Sequence, residues 1–375
     1  MCYLLPSFLS SFNLVSDAHS QVYFVASRYL LPASLVLMTL SIDLKAIAQL
    51  GPKALIMFFT GTFGIIVGGP LAIILVSIIA PETIGGTDFD AIWRGLSTIA
   101  GSWIGGGANQ AAMLEIFKYN PEKYGGMVLI DIVIANIWLA VLLLGVGKTK
   151  RIDRWLKADT SAIEVLKEKV SAFTEKITRI PTLNDYMIIM AIAFSSVGIA
   201  HLTGDFLSDF LNSHYSWVQN KRSFFSFMGS SFFWMIVMAT LIGIGLSFTK
   251  AKNYEGAGAS KFGSVFIYLL VATIGMKMDL TKIFENPGLI LIGIIWMLIH
   301  AVVLIAVAKL IKAPYFFLAV GSQANVGGAA SAPVIAAEFH PSLASVGVLL
   351  AVLGYAVGTA GALFCAYLME IASKI

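Results

Sequence analysis

The sequence predicts an all-α, polytopic membrane helix bundle built from two structural repeats with discontinuous, crossing helices, in about 10–12 spans. Three observations carry this: the scarcity of charge, the recurrence of span-length apolar segments, and a pair of motifs that appears twice in the same order. Of the 375 residues, 58% are hydrophobic and only 12% are charged, and the mean hydropathy is +0.85. Soluble domains carry about 25% charged residues, so this chain cannot solvate an ordinary surface. A cytosolic enzyme, a nucleic-acid binder and a secreted disulfide scaffold are excluded on that ground. Cys2 and Cys365 match no metal or redox spacing and read as inert packing residues.

A helix needs about 20 apolar residues to cross the hydrocarbon. Uncharged stretches of that size run from Ala54 to Ala80, Ser223 to Thr249, Ala313 to Ala337 and Pro341 to Met369. Allowing one polar residue adds Gly125 to Gly147 around Asp131, Pro287 to Ala308 around His300, Val22 to Ile42 around Arg28, and Phe262 to Met278 around Lys277. The glycine-rich Gly95 to Leu114 and the segment Tyr186 to Gly204 bring the total to ten. Met1 to Phe12 reads as the tail end of an eleventh. No basic n-region or small-residue cleavage site marks a signal peptide.

The interval from Lys148 to Asp185 holds nine Lys or Arg, so the positive-inside rule places it in the cytoplasm of a multi-pass protein of the bacterial inner membrane. Ser161 and Glu164 have capping-box spacing. Ile163, Leu166, Val170, Phe173, Ile177 and Ile180 then recur at helical steps until Pro181. This amphipathic connector packs on the bundle or the lipid headgroups rather than forming a domain. It divides the chain into repeat 1 over 1–147, the connector over 148–185 and repeat 2 over 186–375. Lys250, Lys252 and Lys261, then Lys309 and Lys312, mark two further cytoplasmic loops.

In the first half, Ser41-Ile42-Asp43-Leu44 precedes a long span and then Gly101-Ser102-Trp103-Ile104-Gly105-Gly106-Gly107-Ala108-Asn109-Gln110. In the second, Met276-Lys277-Met278-Asp279-Leu280 precedes a span and then Gly321-Ser322-Gln323-Ala324-Asn325-Val326-Gly327-Gly328. Asp43 and Asp279 lie 236 positions apart, Gly101 and Gly321 220 apart; order is kept while loop lengths differ, as after a duplication. Glycine clusters weaken a helix, and freed backbone groups are intolerable in lipid unless they line a cavity or bind something. A break at the same place in both halves points to a transporter binding site. Close helix crossing through small residues is the alternative, but it leaves the buried amides without a purpose. The solute is expected at Ser102, Gly105, Gly106, Gly107, Gln110, Ser322, Gly327 and Gly328. The coupling ion, with sodium an admissible ligand, is expected at Asp131, Asn109, Gln323 and Asn325.

Asp131 is the only acid inside a long span, roughly 10 Å in from the helix start. Such carboxylates usually belong to ion or proton pathways, the alternative being a hydrogen-bonded structural Asp. Trp138 shares its helical face and Asn136 does not. The second half has Ala351 at the matching position. His300 reads as a packing histidine before a proton relay. Arg28 and Lys277 can snorkel toward span ends. Glu115 and Glu338 follow the two breaks, at the mouths of a pathway or at solvated ends. His201, Asp205 and Asp209 form no metal spacing, and no zinc-protease, rhomboid-like or phosphate-loop motif is present.

Over nearly its whole length the chain resembles the bacterial and plastid membrane family called domain of unknown function 819. The likeness rests on Tyr29-Leu30-Leu31-Pro32, on Ser41-Ile42-Asp43-Leu44 leading to Leu50-Gly51-Pro52, on the two Gly-Ser…Gly-Gly motifs, and on Asp131. That family is grouped with cation–proton antiporters and bile-acid sodium symporters. The resemblance therefore implies two inverted repeats with crossed, interrupted helices, and Asn109, Asp131, Gln323 and Asn325 lining the crossing. Two departures follow. Opposite the span Ser223 to Thr249 only Met1 to Phe12 remains, so the first repeat is expected to be short. Six spans separate the starts at Val22 and Phe262, an even number where inversion needs an odd one, and His201 to Ser223 is where a miscounted helix is expected; otherwise the repeats are parallel.

The expected function is secondary active transport of a small organic solute, an anion by preference (organic acid, amino acid or short peptide), coupled to sodium or protons. A cation–proton antiporter without organic substrate is the nearest alternative; a channel or an intramembrane enzyme is more distant. The expected partners are the solute and the lipid bilayer, with no nucleic acid and no cofactor beyond sodium; a homodimer is an admissible state.

Overall fold

The computed structural model describes residues 4–12, 14–15, 20–160, 163, 180–220, 223–278 and 286–374. Among these residues it is all helical, with no strand. The helices are α1 (Leu4–Ser11), α2 (Val22–Leu40), α3 (Leu44–Gln49), α4 (Pro52–Ile79), α5 (Ile92–Phe117), α6 (Tyr124–Val146), α7 (Thr149–Leu156), α8 (Leu183–His214), α9 (Ser231–Ser247), α10 (Ala259–Gly275), α11 (Gly288–Leu310), α12 (Tyr315–Val326), α13 (Gly328–Phe339) and α14 (Ala344–Ala372). All ten apolar segments of the sequence are helical. The amphipathic pattern from Ser161 onward, Cys2 and the Asp279 motif lie outside the described residues. Cys365 is buried and free.

Contacts between helix ends sort them onto two faces. On the connector face, Lys53 pairs with Asp159 at 3.0 Å, Asp159 N–H donates to the Lys312 carbonyl, and Tyr315 N–H donates to Asp153 at 2.7 Å. Lys252 pairs with Asp43 there, joining the end of α2 to the segment between α9 and α10. Tyr315 accounts for one Asp153 oxygen, yet burial raises that carboxyl above its ordinary range. On the opposite face, Asn286 donates to the Thr83 carbonyl, Lys277 lies 3.5 Å from the Tyr23 ring, and Phe224 packs on Tyr367.

Both ends of α5 lie on that opposite face. Asn120 N–H donates to the Phe89 carbonyl at 3.0 Å, Lys123 pairs with Asp90 at 2.8 Å, and the Trp93 and Phe117 rings are 5.2 Å apart. In a straight helix 24 residues would separate the two rings by about 36 Å. The segment is therefore a helical hairpin, turned at Gly106, whose φ of 74° and ψ of −173° are closed to side chains with a Cβ. The second break does the same from the connector face. Phe316 and Phe339 pack at 5.3 Å, Gln323 donates to Ser331 at 2.7 Å, and the turn falls at Gly327 and Gly328 (φ 54°). A methyl on Gly327 would collide with both Ser331 Oγ and Gln323 Nε2.

The ten sequence spans are thus not ten crossings. Six helices (α2, α4, α6, α8, α11 and α14) are long and apolar enough to cross a membrane, seven with the bent α9 segment. The shorter apolar α10 also runs from face to face. The remaining two segments fold back because a glycine turn reverses the chain before it reaches the far side. The first hairpin therefore leaves the count of crossings between Val22 and Phe262, while from His201 onward α8 continues to His214. A capping box of Thr182 with Asp185 opens α8.

In a background with Cys2 and Cys365 replaced, single cysteines at Thr87 and Glu122 should be labelled from the same side of the membrane, and one at Lys157 from the other. Labelling of 87 and 122 from opposite sides would show a crossing helix instead of a hairpin. Gly106→Ala should destabilise the purified protein by about 1–3 kcal/mol through the forbidden backbone region. Gly147→Ala, which meets nothing within 4 Å, should change thermal unfolding by no more than about 0.5 kcal/mol.

Candidate functional site

The two hairpin tips meet inside the bundle. Gly354 of α14 is wedged between them: a methyl there would lie 2.8 Å from the Ile104 carbonyl oxygen and 3.6 Å from that of Ala324. At the first tip, a methyl on Gly105 would lie 2.6 Å from Gly358 Cα. The hairpins thus use α14 as a common backstop, through glycines that let backbones touch.

Helix α6 reaches both hairpins from one face. Asp131 accepts hydrogen bonds from Ser102 Oγ (2.8 Å), Trp103 Nε1 (2.8 Å) and Gln110 Nε2 (2.9 Å). Ser102 and Trp103 sit on the inbound arm and Gln110 on the outbound arm, so one carboxylate clasps both. Among the described residues no cationic side chain pairs with it. Two turns along α6, Trp138 Nε1 donates to Ser322 Oγ at 2.8 Å. The Ser322 hydroxyl in turn meets His300 Nε2 at 2.8 Å, and His300 Nδ1 lies 3.1 Å from the Gly61 carbonyl. A carbonyl can only accept, so Nδ1 carries the proton, and in the neutral imidazole Nε2 then accepts from Ser322. His300 is a packing histidine in this arrangement. Asn136 faces away and donates to the Ile132 carbonyl.

The two asparagines do parallel work at the tips. Asn109 Nδ2 donates to the Gly105 carbonyl while its Oδ1 accepts from Thr359 at 2.5 Å. Asn325 Nδ2 donates to the carbonyls of Gly321 and Phe58 while its Oδ1 accepts from Thr62 at 2.7 Å. Gln323 gives its amide N–H to Ser331, and its Oε1 is buried without a hydrogen-bond partner. The predicted polar side chains therefore fall into five bonding groups: Asp131 with Ser102 and Gln110, Asn109 with Thr359, Asn325 with Thr62, Ser322 with Trp138 and His300, and Gln323 with Ser331. Asp131 makes no hydrogen bond to Asn109, Gln323 or Asn325. Sequence reasoning missed Trp103, Thr62, Thr359 and Ser331. Trp103 lay within the first motif; the two threonines come from long helices with no local signal.

Near the mouth of the first hairpin, Arg28 lies 3.5 Å from Glu115 and 4.3 Å from the Phe232 ring centroid. Arg28 is half-buried there, within two turns of the start of α2.

Helices spanning two faces, with two re-entrant hairpins meeting between them and an acid at one tip, define a polytopic membrane protein. The family described as "Protein of unknown function (DUF819)" matches residues 1–371, and the chain belongs to that family. It is also similar to the uncharacterized membrane protein YjcL of Bacillus subtilis (strain 168), at 26% identity over 366 residues, covering 92% of this chain and 83% of the relative.

Ser322→Ala should leave the Trp138 indole N–H and His300 Nε2 buried without partners. Thermal unfolding is expected to show a loss of about 1–3 kcal/mol; an unchanged midpoint would mean the relay is not formed.

Proposed function

We propose that the protein is a secondary active transporter of a small organic solute, an anion by preference, coupled to a cation through Asp131. The observation that carries this reading is the pair of hairpins entering from opposite faces and meeting around α6 and α14. Interrupted helices at mid-membrane are where transporters place substrate and coupling-ion sites. The helix directions support an inverted repeat: α2, α4, the first hairpin and α6 correspond to α10, α11, the second hairpin and α14, each running the other way. Five crossing helices, not six, separate the starts of α2 and α10 once the first hairpin is set aside. The basic connector is then cytoplasmic, and the protein sits in the cytoplasmic membrane.

Asp131 accepts three hydrogen bonds from neutral donors, two on Oδ2 and one on Oδ1, so a proton or sodium ion arriving on the open side of Oδ1 draws charge from the carboxylate and weakens the bonds it accepts. Sodium fits the chemistry of the donor set, since the Ser102 hydroxyl and Gln110 amide can each turn an oxygen toward it. Gln323 Oε1 offers a further unpaired acceptor at the second tip. The cation supplies the counter-charge that no described side chain gives the carboxylate, and its arrival loosens the clasp on the first hairpin. Unclasping one hairpin while the other stays braced by Asn325 is a route to alternating access. The solute is held by backbone groups at Gly105–Gly107 and Gly327–Gly328.

The test is uptake by proteoliposomes of radiolabelled organic acids and amino acids under an imposed sodium or proton gradient. Uptake should follow one of the two gradients, and Asp131→Asn should reduce gradient-driven accumulation at least tenfold. Gradient-driven accumulation that survives Asp131→Asn intact would overturn the coupling role. Non-saturating uptake independent of either gradient would replace the transporter with a channel.

A further inference from the structure

A cavity of about 700 Å³ lies away from the tips, at the mouth of the first hairpin on the face opposite the connector. Its size is within the roughly 300–1,000 Å³ of small-molecule sites. Both hairpin arms wall it, Trp93 and Arg94 from the start and Phe117 and Lys118 from the end, with Phe224 and Phe227 from the segment before α9 and Glu370 from the end of α14.

The wall has two chemical parts. One is aromatic: the Phe224 ring lies tilted within 5.8 Å of both Trp93 and Phe117, and Phe227 lies 5.5 Å from Phe117. The other carries charge of both signs, Arg94 and Lys118 against Asp88 and Glu370. The Arg94 guanidinium has five donors; Nη1 donates to the Phe117 carbonyl at 2.5 Å, while Nε is buried without a hydrogen-bond partner. Glu370 is engaged by Lys374 through Oε1. A simple anion entering this space meets two carboxylates, and a simple cation meets two basic groups. A molecule with both charges and an apolar body satisfies all three parts of the wall.

We infer that this cavity is a binding site for a zwitterion with an apolar or aromatic body, of the class of free α-amino acids. Its carboxylate pairs with Arg94 and Lys118, its ammonium with Asp88 and Glu370, and its side chain packs on Trp93, Phe117 and Phe224. Because ligand bridges the two arms, occupancy stiffens the base of the hairpin whose tip Asp131 clasps. The site requires only equilibrium binding and stands apart from the transport reading.

The test is calorimetric titration of the full-length protein in nanodiscs of phosphatidylglycerol, with phenylalanine as probe. Saturable binding is expected, weakened at least tenfold for phenylpropionate, which lacks the ammonium, and for phenethylamine, which lacks the carboxylate. Arg94→Gln and Glu370→Gln should each weaken phenylalanine binding at least fivefold. Equal affinity for phenylpropionate, no saturable binding of phenylalanine, or binding unaffected by both substitutions would overturn the proposal. Phosphatidylethanolamine carries the same pair of charges in its headgroup. Nanodiscs containing it should give unchanged phenylalanine affinity, and competition would assign the site to lipid and overturn the soluble ligand.

Discussion

A helix that stops midway through a bilayer leaves backbone donors and acceptors where no water can reach them, and everything at the centre of this bundle answers that constraint. Each hairpin tip is met by an asparagine that bonds the carbonyl four residues back and is itself anchored by a threonine from a long helix. The tips then close on backbone: Gly354 and Gly358 of α14 bring a continuous helix against both turns without a side chain between. The long helices are the rigid part, and the hairpins are fitted to them.

Asp131 belongs to this problem as much as to ion chemistry. An acid at the centre of a membrane helix costs about 3 kcal/mol on insertion scales. Hydrogen bonds to a charged group contribute about 1.5–3 kcal/mol each, so the three it accepts offset that cost even at the low end. The same bonds tie both arms of one hairpin to α6. A residue that served only to hold the hairpin could be neutral, as Trp138 is, two turns along the same helical face, where it bonds Ser322 of the second hairpin. What the carboxylate adds, on the proposed transporter reading, is a state that changes when a cation or proton arrives.

Much of this was legible in the chain. Charge scarcity and span length located every apolar helix, the doubled Gly-Ser motif located both breaks, and the seven-residue spacing of Asp131 and Trp138 put them on one face. What stayed hidden was direction. A segment of 26 residues with three consecutive glycines reads equally as a crossing helix or a hairpin, because composition does not record the sign of φ at Gly106. The partners of the two asparagines were hidden for a different reason: Thr62 and Thr359 lie 263 and 250 positions away and only packing brings them near.

That one misread direction has a consequence for mechanism. If the glycine-rich segments crossed the membrane, each would present two half-helix ends to a fixed central crossing. As hairpins, each presents a tip inside and a mouth at one face, so movement of a hairpin changes access from its own face alone. The asymmetry of the bonding then matters. The first hairpin is held by an acid, the second by a relay through Ser322 and His300. On the proposed transporter reading, an ion at Asp131 would act on one gate directly, and the other gate would respond through the contacts that both tips share at Gly354. Duplicating the acid at Ala351 would place a second ionisable group on that shared helix, and the two gates would no longer be distinguishable to the ion.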